Sequence, residues 1–123
     1  MAEPIEDDTV VLFRPVGQAE FELVRDSGFR SFPPRLPGQP IFYPVLNREY
    51  AEQIAREWNT KDEASGCRGY VLRFSVRKPF LRGYQPKQVG AGEHMEYWIP
   101  SAVLDELNRN IVGLIEVVAT FAG

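Results

Sequence analysis

An α+β fold, with a mixed or antiparallel sheet and three short helices, is predicted by three observations. Strand-like and helix-like segments interleave in the order β-α-β-α-β-β-α-β. The connections between them are too irregular for a doubly wound parallel sheet. The clearest strand candidate, residues 70–77, alternates apolar and polar side chains, as a sheet with one wet face does. A length of 123 residues suits one domain, placed at 9–123, with a disordered acidic tail at 1–8.

The run Thr9-Val10-Val11-Leu12-Phe13-Arg14 is β-branched and apolar and reads as the first strand, closed by Pro15. Gly17 to Asp26 is rich in helix formers. Phe21 and Val24 lie three apart on one face, and Gly28 supplies the stop, with Phe29 folding back on the helix end. The stretch 32–40 carries four prolines and a glycine, so it is a rigid extended loop. Ile41-Phe42-Tyr43 then forms a short strand ended by Pro44.

Asn47 is a good N-cap for a helix from Arg48 to about Trp58. Its apolar face is Tyr50, Ala51, Ile54, Ala55 and Trp58, and Glu52 and Arg56 stand at i,i+4. In the strand 70–77, Tyr70, Leu72, Phe74 and Val76 face the core, and Val71, Arg73, Ser75 and Arg77 face outward. A helical turn at 80–84, a weak strand at 86–89 and a short strand at 95–99 follow. Pro100-Ser101 opens a helix through Asn108, and Ile111 to Phe121 closes the chain as a strand in which Gly113 marks a bulge.

Composition excludes several function classes. With 14 Lys and Arg against 17 Asp and Glu, the net charge of −3 argues against a sequence-independent nucleic-acid binder. The basic stretch Arg68, Arg73, Arg77, Lys78 and Arg82 is the one local exception. A single cysteine, Cys67, excludes an internal disulfide and a thiolate-rich metal site, so no metal is expected. The acidic first residues lack the features of a secretory signal, and no apolar run approaches membrane-spanning length. A cytoplasmic protein without a membrane partner is the expectation. Gly90-Ala91-Gly92 falls short of a dinucleotide fingerprint, and no HExxH, CxxC or nucleophile-elbow motif occurs.

Three motifs, in order, carry more. They are Leu12-Phe13-Arg14 ending a strand, Ile41-Phe42-Tyr43-Pro44 running into a helix with paired alanines, and Glu96-Tyr97-Trp98-Ile99-Pro100 late in the chain. Across nearly the whole chain after the tail, this layout resembles small ADP-ribosyltransferase-type domains. It looks closer still to small stand-alone bacterial proteins described as ADP-ribosylation-related. The resemblance implies an ADP-ribosyltransferase-like fold that binds NAD or a related nucleotide. It further implies transfer of ADP-ribose, or cleavage of the nicotinamide–ribose bond.

On that resemblance, Arg14 would hold phosphate or ribose, Phe42 and Tyr43 would form the wall for the nicotinamide, and Glu96 would act as the catalytic carboxylate. His94, two residues before Glu96, joins the nucleotide-binding set. The chemistry is coherent: a guanidinium fits phosphate oxygens, an aromatic face fits a heteroaromatic ring, and a carboxylate stabilises a cationic transition state. Phe42-Tyr43-Pro44 stands where such domains carry Ser-Thr-Ser. That departure supports an alternative, a catalytically silent module of the same fold that recognises a protein partner. Glu93 could pair with Glu96 for acid–base work. Read without the resemblance, Arg14 is a rim cation paired with a carboxylate, and Tyr84, Tyr97 and Trp98 fill core volume. The loop 32–40 would form a wall of the site.

Overall fold

A computed structural model describes residues 8–88 and 94–122. Residues 1–7 of the expected tail, Val89 of the expected 86–89 strand, and Glu93 lie outside the described residues. The architecture is mixed α+β, with antiparallel strand pairing and four short helices rather than three. The strands are β1 (Thr9–Val16), β2 (Ile41–Phe42), β3 (Arg68–Arg77), β4 (Lys87–Gln88), β5 (Met95–Glu96), β6 (Ile99–Pro100) and β7 (Ile111–Ala122). The helices are α1 (Gln18–Asp26), α2 (Arg48–Glu57), α3 (Lys78–Leu81) and α4 (Leu104–Arg109).

The central sheet has the order β1-β3-β7, while β2 pairs with β6 and β4 with β5. β1 runs through Pro15 instead of ending before it, with Pro15 opposite Val71. β1 is a lateral strand of this sheet, where a missing N–H costs little. In β7, Gly113 adopts φ +77° where the β3 register shifts between Arg73 and Ser75, as a bulge requires. The expected strand 95–99 is split in two, and the helix after Pro100 begins as a 3₁₀ turn at Ser101–Val103.

β3 is buried on both faces over its first half, Gly69 to Leu72. Tyr70, Leu72, Phe74 and Val76 join the larger core with Leu12, Val24, Phe32, Phe42, Ile99 and Leu107. Val71, expected to face water, is instead fully buried against Val45, Ala51 and Ala55. α2 covers that second face at Val71, while Arg73, ion-paired with Glu116, and Arg77 keep the expected polar outer side farther along the strand. Contact is close enough that a Cβ on Gly69 would stand 2.4 Å from the Ala55 carbonyl oxygen.

α2 begins as its sequence requires, with Asn47 Oδ1 accepting from the Tyr50 amide at 3.2 Å. Glu52 pairs with Arg48 at 2.7 Å rather than with Arg56. α1 ends at Ser27, Gly28 takes φ +80°, and the Phe29 amide donates to the Val24 carbonyl at 3.0 Å. Phe29 thereby packs back on the helix as its sequence position suggests. No described helix is long and apolar enough to cross a membrane.

Candidate functional site

A single backbone arrangement assembles the site. Val45 exchanges both backbone hydrogen bonds with Phe13, each at 2.8 Å, and forms an isolated bridge to Glu96 on its other side. The Leu46 amide donates to the Met95 carbonyl at 3.0 Å, and the Tyr97 amide to the Pro44 carbonyl at 2.9 Å. Residues 44–46 therefore lie between β1 and β5. Arg14, Tyr43 and Glu96 are far apart in sequence, yet this stitching brings all three to the wall of one open cavity of about 600 Å³. α1 and the proline-rich segment 33–36 complete the wall, so the rigid loop 32–40 flanks the site as its composition suggests.

Arg14 is buried, and its guanidinium lies 4.4 Å from the centre of the Phe42 ring. Its Nε donates to Glu20 Oε2 at 2.6 Å and its Nη2 to Glu20 Oε1 at 2.9 Å. The paired-cation reading of Arg14 is thus correct as far as its partner goes, although the pair sits in the cavity wall. Phe42 is fully buried beneath Arg14 and so offers no open face to a ligand. A second guanidinium stands close by. Arg35 Nη1 is 3.9 Å from Glu20 Oε1, and Arg35 Nε donates to the Ile41 carbonyl at 3.1 Å. Burial and the neighbouring Arg14 charge pull Arg35 below the ordinary arginine value, against the opposing pull of Glu20 and Tyr43. Two cations thus share one carboxylate, and the cluster carries an excess positive charge.

Tyr43 is 38% exposed and meets Trp98 edge-to-face, with ring centres 6.0 Å apart. Trp98 is itself exposed, unlike the buried Tyr97, and does not fill the core. Its indole Nε1 donates to Glu96 Oε2 at 2.8 Å. Burial pushes the Glu96 carboxyl above its usual range, and the Trp98 hydrogen bond acts against that shift. Lys87, opposite Glu96 in the β4–β5 pair, holds its ammonium 5.2 Å from the Trp98 ring.

His94 takes a different place. Its ring stacks flat on Tyr50 at 4.2 Å, and it is not among the cavity-lining residues. Burial, and to a lesser degree the Glu96 charge, push the Tyr50 hydroxyl above its usual value. The cavity therefore unites Arg14, Tyr43 and Glu96, while Phe42 supports Arg14 from below and His94 supports Tyr50.

Sequence reasoning overlooked three residues at this cavity. Arg35 sits in a proline-rich loop with no periodicity to read, and Glu20 is on a helix face that looks merely solvated. Trp58 was expected on the buried face of α2, but it lies at the helix C-cap and is 62% exposed at the cavity. Beside it, Asn59 is buried, and its Oδ1 is the only buried side-chain polar atom without a partner among the described residues. Comparison with protein-family models, curated proteins and solved structures finds no match for this chain.

Proposed function

We propose that this cavity binds NAD or a related nucleotide and that the domain is ADP-ribosyltransferase-like. In this reading it transfers ADP-ribose or cleaves the nicotinamide–ribose bond. The observation that carries the reading is the meeting of Arg14, Tyr43 and Glu96 on one cavity wall, although 82 positions separate the first from the last (96 − 14). The cavity volume lies within the ordinary range for small-molecule sites.

The residues fit such a ligand with one change of role. Arg14 spends Nε and Nη2 on Glu20, so phosphate recognition falls to the Arg14–Arg35 pair rather than to Arg14 alone. Tyr43, exposed and braced by Trp98, supplies the open aromatic surface that Phe42 cannot. Glu96, held by the Trp98 indole, supplies a carboxylate for positive charge developing at the ribose C1′. The C1′–N bond breaks, and nicotinamide leaves with the bonding electron pair. Water or an acceptor hydroxyl then bonds to C1′ and releases a proton.

Calorimetric titration of NAD, with nicotinamide release followed in parallel, tests the proposal. Binding by wild type, with release abolished in Glu96→Gln, is expected. No heat at millimolar NAD would sink the nucleotide reading. A second reading, a silent module recognising a protein partner, is favoured by the exposure of Leu23, Leu36 and Trp58 at the same cavity. It wins if wild type and Glu96→Gln are equally inactive and a purified partner binds in a manner lost in Leu36→Asp.

A further inference from the structure

We propose that Trp58 is the platform on which the second ring of a dinucleotide, its nucleobase, lies. The inference rests on the reading of the cavity as a nucleotide site and deepens it. The cavity has two aromatic stations, and the function above uses only one. Tyr43 serves the first. Trp58 lines the same cavity from the end of α2 and exposes 62% of its surface. Trp is on average among the well-buried residue types, so an indole left this open at a cavity wall is available apolar surface.

The mounting of Trp58 is rigid although its ring is open. Its amide donates to the Ile54 carbonyl at 2.9 Å, and its carbonyl accepts from the Lys61 amide at 3.1 Å. The next residue, Asn59, donates from Nδ2 to Ser65 Oγ at 3.0 Å, and Ser65 Oγ donates to Asp62 Oδ2 at 2.9 Å. The turn is fixed in turn against the start of α1, where a Cβ on Gly17 would fall 2.5 Å from Ser65 Cβ. The backbone that carries the indole therefore needs no reordering when a ring lies on it.

The chemistry of the cavity selects the class of ligand. Two guanidiniums with one shared carboxylate suit a phosphate or diphosphate, and a flat face suits a base of any identity. A molecule with two rings and a charged linker uses both stations and the cationic cluster. A mononucleotide uses one station. Leu23 and Leu36 supply apolar surface at the same cavity, where they can flank the ring.

Isothermal titration of NAD and of nicotinamide mononucleotide into wild type, Trp58→Ala and Trp58→Phe tests this. Trp58→Ala is expected to weaken NAD about tenfold or more, on the scale of one lost base stack. Trp58→Phe should retain most of the affinity, and the mononucleotide should bind wild type and Trp58→Ala alike. The side chain is exposed, so the melting temperatures of the variants should match wild type, and thermal melts verify this. Equal NAD affinity in wild type and Trp58→Ala would overturn the platform while leaving the nucleotide site standing. So would an equal loss for both ligands. Absence of NAD binding by wild type itself would overturn the nucleotide reading and the platform with it.

Discussion

Arg14 and Glu20 meet through two parallel hydrogen bonds, one to each carboxylate oxygen, inside the wall of the cavity. A buried guanidinium left without its partner is costly, because the charge is already out of water. Glu20→Gln is therefore expected to lower stability by about 2 kcal/mol, less than for a fully buried pair because Glu20 keeps some exposure. Urea denaturation measures this. The double variant Arg14→Met/Glu20→Met should recover part of the loss, since neither charge remains.

The approach of β3 to α2 predicts a second effect. Gly69→Ala places a methyl 2.4 Å from the Ala55 carbonyl oxygen, and backbone cannot give way as a side-chain tip can. A loss of about 3 kcal/mol or more is expected. Gly83→Ala, where nothing lies within 4 Å, serves as the control and should stay within about 0.5 kcal/mol of wild type. Equal melting temperatures for the two variants would contradict the packing described.

Glu96 carries a pH signature. Its carboxyl is raised in the folded state, chiefly by burial, so the protonated form is favoured there. Stability from this group is fully present below the unfolded carboxylate value and is lost as pH rises through the folded one. Glu96→Gln removes the charge and retains an oxygen for the Trp98 indole. The variant should be at least as stable as wild type at pH 7, with the difference vanishing near pH 4. Denaturant midpoints at the two pH values decide it, and a wild type favoured at pH 7 would reverse the sign.

Tyr43 and Trp98 allow function to be separated from folding. Tyr43→Ala removes an exposed ring and should leave the melting temperature nearly unchanged while weakening NAD about tenfold. Trp98→Ala also frees Glu96 from the indole donor at 2.8 Å, and should reduce nicotinamide release more than NAD affinity. The split between the two variants is the measurement that matters.

Much of this molecule is legible from its sequence where local chemistry decides the outcome. Asn47 caps α2, Gly28 and Phe29 end α1, and Gly113 breaks the register of β7, each for a reason visible within a few residues. Long-range contacts decide the rest. Val71 reads as an outward residue until α2 is seen to lie across it, and Trp58 reads as core until the helix ends one residue before it. Arg14, Tyr43 and Glu96 line one cavity, a meeting made by the long-range pairing of residues 44–46 with β1 and β5. Glu20 and Arg35 carried no such signal, because a carboxylate on a helix and an arginine among prolines look like ordinary surface.

The stitching of residues 44–46 between β1 and β5 has a dynamic consequence. Arg14 and Glu96 are joined across a span only three residues wide, not by a long ladder, and a local opening there would part them without unfolding β3. Deuterium uptake at the Phe13 and Val45 amides thus times the assembly of the cavity. The two protons should exchange together, and more slowly once a ligand occupies both walls.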